Sequence, residues 1–133
     1  MEINSIYQLF LKCTRVSTDS RNIESKNLYI SLKGPNFNGN RFAKDALDKG
    51  AAYAIVDEKE YAINDKYILV NDCLETLQEL ATHHRRNSKA KIIALTGSNG
   101  KTTSKELIYS VLKSKLNTIA TTGNLNNHIG VPL

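Results

Sequence analysis

Residues 92–103, IIALTGSNGKTT, constrain the fold more than any other stretch. Ile92, Ile93, Ala94 and Leu95 form a short apolar run, and a buried strand is expected over Lys91–Leu95. Gly97 and Gly100 then free the backbone for angles that a Cβ would forbid. A helix is expected over Thr102–Lys115, with Leu107, Ile108, Val111 and Leu112 along one side. Between strand and helix, the amides of Ser98, Asn99, Gly100, Lys101 and Thr102 can turn into one concavity, and the positive end of the helix adds to it. Such a hollow suits phosphate oxygens. Lys101 supplies a point charge for the β and γ phosphates, the Thr102 hydroxyl can ligate Mg²⁺, and Thr103 can donate to a phosphate oxygen. The common phosphate-loop pattern G-x-x-x-x-G-K-[ST] is not met, because Leu95 stands where its first glycine belongs. The match is to a shorter form, T-G-x-x-G-K-T, at Thr96–Thr102. A turn in which the glycines serve only the backbone would leave Lys101-Thr102-Thr103 unexplained, so the loop is read as holding a nucleotide triphosphate.

The rest of the chain alternates helices and strands, which predicts an α/β architecture. Ile6, Leu9, Phe10 and Cys13 share one face of a short helix that Ser5 could cap. Val16 to Asp19 reads as a short strand. Leu28, Ile30 and Leu32 alternate with other residues, as in a half-buried strand. KGPNFNGN (33–40) reads as a loop, and residues 41–49 as a helix with Phe42, Ala46 and Leu47 inward and Gly50 at its end. Apolar runs at 54–56 and 67–70 predict two further strands. Asp72 with Glu75 forms a capping box for a helix bearing Leu74, Leu77, Leu80 and Ala81, ending near Asn87. The polar bridge Asn87–Ala90 divides an expected domain at 1–87 from a second at 91–133. One strand, one helix and a further short strand at Thr118–Ala120 are too few to cover a parallel sheet. The second domain is therefore expected to be incomplete unless another chain completes it.

Composition excludes little. The 133 residues are 41% hydrophobic and 23% charged, which is globular, and the formal net charge of +5 fits either anionic partners or a solvated surface. A nucleic-acid binder is disfavoured, because no basic stripe is interleaved with aromatic residues. Cys13 and Cys73 fit no metal spacing and read as reduced thiols in a cytoplasmic protein. No export signal and no membrane helix are expected, since the apolar run near the N-terminus is too short.

Three stretches carry a family resemblance. TGSNGKTT (96–103) resembles the ATP loop of the Mur ligases, the amide-forming enzymes of peptidoglycan assembly, and of their folylpolyglutamate synthetase relatives. VSTDSRNIESKNLYISLKGPNFNGNRF (16–42) resembles their N-terminal domain, with its D-S-R turn, L-F-x-A-L-x-G strand and D-G-H-x-F loop. GNLNNHIGVPL (123–133) is similar to a segment of the branch that adds D-alanyl-D-alanine. The resemblance implies a small N-terminal α/β domain for the UDP end of UDP-N-acetylmuramoyl-tripeptide, followed by the first strand–loop–helix unit of a parallel-sheet ATPase domain. It implies ATP and Mg²⁺, with an acyl phosphate attacked by D-alanyl-D-alanine. Thr96, Gly97, Ser98, Asn99, Gly100, Lys101, Thr102 and Thr103 become ATP contacts, Lys101 and Thr102 being catalytic and Thr102 the Mg²⁺ ligand. Thr18, Asp19, Ser20, Arg21, Lys33, Gly34 and Asn36 become UDP-substrate contacts. Asn124, Asn127 and His128 become candidate cleft residues, with Asn126 beside them. Asn38-Gly39-Asn40 departs from the family's Asp-Gly-His, so neither asparagine inherits a role. The family's other Mg²⁺ carboxylate, modified lysine and amine-binding domain would follow Leu133, so these residues alone are expected not to catalyse ligation. The full enzyme is expected to be monomeric. Alternatives are the related ligase that adds the third amino acid and a non-catalytic nucleotide-binding paralogue.

Overall fold

The computed structural model describes residues 2–121, 123, 125 and 127–133. The chain divides into two compact units, Met1–Asn87 together with Pro132–Leu133, and Ser88–Val131. The first is built on four short strands: β1 (Val16–Ser17), β2 (Leu28–Ile30), β5 (Tyr53–Val56) and β6 (Tyr67–Leu69). They pair in the order β1-β2-β5-β6, each with its neighbour in parallel. The α/β class expected from the alternation of elements is what forms.

The register explains the two cores. Tyr29, Ala54 and Tyr67 stand opposite one another, as do Ile30, Ile55 and Ile68. Successive strand residues point to opposite faces, so the first row lies on one face and the second on the other. The Tyr29 face packs with Ala43 and Ala46 of α2 (Ala43–Asp48), whose small side chains allow close approach, and with Ala51 and Val56. On the other face Leu28, Ile30, Ile55 and Ile68 are buried, and so are Ile6 of α1 (Ile3–Phe10) and Leu77 and Leu80 of α3 (Cys73–Asn87). α1 and α3 pack together, with Tyr7 edge-on to His83 at 4.6 Å. All three residues of β2 are 0% exposed, so this strand is covered on both faces rather than half-buried as its alternation suggests. The residues that alternate with Leu28, Ile30 and Leu32 are Tyr29 and Ser31, and the Tyr29 ring has its own core to enter.

Several local expectations are corrected. Ser5 does not cap α1: the cap is Glu2, without a side-chain bond, and the Ser5 amide already donates to the Glu2 carbonyl at 3.0 Å. Cys13 lies beyond the helix, its thiol donating to the Leu9 carbonyl at 3.3 Å. The segment 33–40 is not merely a loop. It contains a two-residue-per-strand hairpin, β3 (Lys33–Gly34) with β4 (Phe37–Asn38), antiparallel. A 3-10 turn, Gly39–Phe42, precedes α2, so that Ala43 rather than Phe42 enters the core. Gly50 adopts φ +110° one residue past the α2 cap, as its position predicts. The Glu75 amide donates to Asp72 Oδ1 at 2.8 Å, which caps α3.

In the second unit the described helix is α4 (Lys101–Lys113). The strand expected at Lys91–Leu95 does not form, nor does one at Thr118–Ala120. Ile92 and Ile93 are 59% and 60% exposed. A strand exists only through backbone pairing with a neighbour, and no neighbouring strand is present among the described residues of this unit. Among the described residues no helix is long and apolar enough to cross a membrane.

Candidate functional site

Because β1, β2 and β5 are parallel neighbours, the chain leaves all three at the same edge of the sheet. This carboxyl edge is where open α/β sheets receive ligands. Three segments meet the solvent there: the turn after β1, the hairpin after β2 and Asp57-Glu58 after β5. In the turn, the Asp19 carboxylate accepts from Arg21 two residues on: from the backbone N–H at 2.9 Å, from Nε at 2.9 and 3.2 Å and from Nη2 at 2.8 Å. These bonds hold the Asp19 carboxyl down at about 2. Ser17 Oγ donates to the Asp19 carbonyl at 3.1 Å, and Lys49 Nζ donates to the Ser20 carbonyl at 2.7 Å. Thr18 and Ser20 are half-buried, and Arg21 is exposed.

The hairpin borders a hollow of about 280 Å³ lined by Lys33, Gly34, Asn36, Phe37, Asn38 and Arg41, with Pro35 at the turn. A polar network sets its shape. Asp57, whose side chain is 3% exposed, accepts from Lys33 Nζ at 3.1 Å, from Asn40 Nδ2 at 2.8 Å and from the Cys73 amide at 3.3 Å. Asn40 Oδ1 accepts in turn from the Asp57 amide at 3.0 Å. Asn38 Oδ1 accepts from Asn40 N and Nδ2 at 3.0 and 2.9 Å, and Asn38 Nδ2 donates to Glu58 at 3.1 Å. Burial pushes the Asp57 carboxyl up, but the bonds from Asn40, Lys33 and the Cys73 amide outweigh it and leave the group below its ordinary value. Lys33 is raised by its bond to Asp57. So Lys33, Gly34 and Asn36 do share one hollow; Asn38 lines it too, and Asn40, buried, bonds to Asn38 and Asp57, though neither asparagine inherits a role by resemblance. Asp57, Glu58, Phe37, Arg41 and Phe42 are missed by the sequence reading. Asp57 and Glu58 lie 17 and 20 residues from their asparagine partners, and no local spacing signals the pairing.

In the second unit Gly97 and Gly100 take φ +148° and +76°, a conformation that side chains rarely adopt. Space is not the reason, since a Cβ at Gly100 would meet nothing within 4 Å. Gly100 is the cap of α4 and offers no side-chain bond, so first-turn N–H groups of α4 are left for another partner. The Lys101 ammonium folds back across the loop onto the Gly97 carbonyl. Thr96, Ser98, Asn99, Thr102 and Thr103 are exposed. One turn on, Lys105 Nζ donates to the Thr121 and Gly123 carbonyls at 2.6 and 3.3 Å and pairs with Glu106. Asn127 Oδ1 accepts from the Ile129 and Gly130 amides at 3.1 and 2.7 Å, so its oxygen is spent on a local turn. His128 is exposed, and Asn124 and Asn126 lie outside the described residues. The make-up of the loop suits an anion: two glycines at positive φ, a helix start without a side-chain cap, and the Lys101 cation. For a divalent metal it offers only neutral oxygens, the Thr102 hydroxyl among them, and among the described residues there is no group of three or more His, Cys, Asp or Glu that could hold one.

A four-stranded parallel sheet with polar loops at one edge, and in the second unit a glycine–lysine loop that opens a helix, define the chain as an α/β protein. The chain belongs to the Mur ligase family: residues 12–85 match the family's catalytic domain, and residues 95–133 match the Mur ligase middle domain. It is 42% identical over 123 residues to a UDP-N-acetylmuramoyl-tripeptide–D-alanyl-D-alanine ligase of Rickettsia prowazekii, covering 91% of this chain and 27% of that protein. The ligase of the same name from Bacillus subtilis is 42% identical over 120 residues, 89% of this chain and 26% of the relative. The chain thus spans about a quarter of the length of these relatives. Among solved structures, the MurF ligase from Thermotoga maritima in complex with ADP matches 92% of this chain and 28% of its own, at 33% identity and TM-score 0.78. MurF from Acinetobacter baumannii matches 98% of this chain and 31% of its own, at 34% identity and TM-score 0.77.

Proposed function

We propose that this chain serves the ATP-dependent ligation of D-alanyl-D-alanine to UDP-N-acetylmuramoyl-tripeptide in the cytoplasm. In this reading residues 1–87 receive the UDP-linked substrate, and residues 91–133 belong to the ATP-binding domain. The observation that carries it is the loop at 96–101: two glycines at positive φ, immediately before α4, in a chain about 40% identical to ligases of that name.

The chemistry follows from a carboxylate's poor electrophilicity. The terminal carboxylate of the tripeptide attacks the γ-phosphorus of ATP, ADP departs, and the resulting acyl phosphate carries a good leaving group. The amine of D-alanyl-D-alanine then attacks the carbonyl carbon, and phosphate leaves. The protein's part is alignment and charge neutralisation. The amides of Ser98 to Thr102 would hold the phosphates, with Thr96 and Thr103 at the two ends of the cradle. Lys101 would exchange the Gly97 carbonyl for phosphate oxygens. Mg²⁺, when bound, would neutralise charge on the transferring phosphoryl group, with the Thr102 hydroxyl among its ligands. Thr18, Asp19, Ser20, Arg21, Lys33, Gly34 and Asn36 stand on the two loops assigned to the UDP end.

Calorimetric titration of the chain with ADP tests the loop. Lys101→Met should weaken binding by at least about tenfold, since a charge-assisted bond to phosphate is lost. Equal affinities in parent and variant would remove the ATP site from this loop.

A further inference from the structure

The first unit is electrically polarised. Residues 1–87 contain twelve Lys and Arg and twelve Asp and Glu, so their side chains have no formal net charge. The two edges of the sheet do not share these charges evenly. The amino edge, where the chain enters the parallel strands, lies opposite the carboxyl edge described above. Lys12 and Arg15 stand before β1, Lys26 before β2 and Lys66 before β6, while Arg85 and Arg86 lie in the last turn of α3. All six are exposed. Backbone bonds tie the entry segments together. The Thr14 amide donates to the Lys26 carbonyl at 3.0 Å, the Leu28 amide to the Arg15 carbonyl at 2.8 Å and the Lys26 amide to the Gly50 carbonyl at 2.8 Å. The Phe10 and His84 rings, 5.2 Å apart, bring the end of α3 beside the end of α1. Glu24 and Asp65 are the acids of this edge, and Asp48 and Lys49 at the end of α2 cancel. The edge is therefore formally four charges positive, and the rest of the unit is equally negative.

Helix capping explains only part of this segregation. Arg85 and Arg86 complement the carbonyl end of α3, but Arg15, Lys26 and Lys66 end no helix. Lys26 adopts φ +64°, a left-handed angle that is costly for a lysine and natural for Gly or Asn. Two aliphatic side chains accompany the cations: Leu11, 54% exposed, before β1, and Ile63, 63% exposed, in the turn that leads to β6. β1 and β6 are the outer strands, about 15 Å apart at ordinary strand spacing. Cations spread between two exposed aliphatics across the width of a sheet suit a plane that is anionic at its surface and apolar beneath. Tyr53 and Tyr67, the tyrosines that open β5 and β6, are half-buried and buried, so they offer nucleic-acid bases no stacking platform. We infer that the amino edge of the first unit docks on an anionic lipid surface, its lysines and arginines meeting the phosphate headgroups and Leu11 and Ile63 entering the interface. The loops at the carboxyl edge then face away from the lipid. This docking does not depend on the ligation proposed above.

Cosedimentation of the intact chain with lipid vesicles tests this. The chain should bind vesicles of equal parts phosphatidylglycerol and phosphatidylcholine, ignore vesicles of phosphatidylcholine alone, and come off at about 1 M salt, where the Debye length is about 3 Å. Arg15→Gln and Lys66→Gln should each weaken binding about fivefold, the effect of one cation near an anionic surface. Lys26→Gly removes a charge and a strained angle together. It should bind about fivefold more weakly yet unfold at no lower urea concentration than the parent. Leu11→Ser and Ile63→Ser leave the charge unchanged and should each weaken binding at least about threefold. Lys59→Gln, in the turn after β5, and Lys113→Gln and Lys115→Gln, in the second unit, should change it less than about twofold. All these positions are exposed, and unchanged far-ultraviolet circular dichroism will show that the variants fold. If neutralising Lys59, Lys113 or Lys115 costs as much as neutralising Arg15, the attraction belongs to charge in general and the docking edge is overturned. Tighter binding of a DNA duplex than of the anionic vesicles, or no binding to those vesicles, would overturn it too.

Discussion

Gly39 is the position where one added methyl group should do the most damage. It opens the 3-10 turn after β4 and is buried. A Cβ there would lie 2.5 Å from the Leu32 carbonyl oxygen, 2.9 Å from the Leu32 nitrogen and 2.9 Å from the Ser31 carbonyl carbon. All three atoms are backbone at the exit of β2, so no side chain can swing away. Relief requires the turn to move off the strand end. That movement breaks the bond from the Gly39 amide to the Leu32 carbonyl at 2.9 Å, and the bond from Tyr29 OH to the Gly39 carbonyl at 3.0 Å. The first loss costs about 1 kcal/mol, and the second strands a buried hydroxyl at about 1–3 kcal/mol more. Gly39→Ala should therefore destabilise the first unit by roughly 2–4 kcal/mol. Urea unfolding followed by near-ultraviolet circular dichroism reports on this unit, because Tyr7, Tyr29, Tyr53, Tyr61 and Tyr67 all lie in it. With a slope of about 1–3 kcal/mol per molar for a small protein, the midpoint should fall by roughly 0.7–4 M. Gly34→Ala is the control, since nothing lies within 4 Å of its added Cβ. It should shift stability by no more than about 0.5 kcal/mol. A Gly39→Ala chain that unfolds at the parent's midpoint would refute the close approach of the turn to β2, and with it the shape of the hollow.

Three further outcomes follow from the titratable groups. The Asp57 carboxyl sits below its ordinary value, so its stabilisation is complete above the unfolded value near 4 and is lost as pH falls through the lower folded value. Asp57→Asn should thus be less stable than the parent at pH 7, with the difference shrinking below about pH 4; a difference constant from pH 7 to pH 2 in urea titrations would contradict the network. Burial pushes the Tyr29 hydroxyl up to about 12, so in a spectrophotometric titration Tyr29 should ionise after exposed tyrosines, and stability should decline as pH rises above about 10. Ionisation of all tyrosines in a single step near pH 10 would be inconsistent with its buried bond to Gly39. Burial raises both thiols, but Cys73 is 1% exposed while Cys13 is only partly covered. A disulfide reagent should label Cys13 in the native chain and reach Cys73 only on unfolding, and equal labelling rates would count against the packing of α3 on the sheet.

What the sequence makes legible here is the physics that acts within a few residues. Asp72 three residues before Glu75 forms a cap, Gly50 ends α2 at positive φ, and the two glycines before Lys101 take the angles that only glycine takes readily. The α/β class is readable for the same reason, since each strand and helix carries its own period. What is not readable depends on pairing. Ile92 to Leu95 have the composition of a strand, yet a strand is a relation between two segments, and without a neighbour the apolar run stays out in solvent. The hollow shows the same limit more sharply. In sequence Lys33 opens the loop and Arg41 the helix expected after it, and the family resemblance names only Lys33. Their difference arises only because β5 pairs beside β2 and delivers Asp57 and Glu58 to the foot of the hairpin. A cation next to two carboxylates has little attraction left for a phosphate, and one without them keeps its charge for a ligand. Which of the two cations is neutralised is thus decided by strand order, and strand order was invisible at the scale on which the turns and caps could be read.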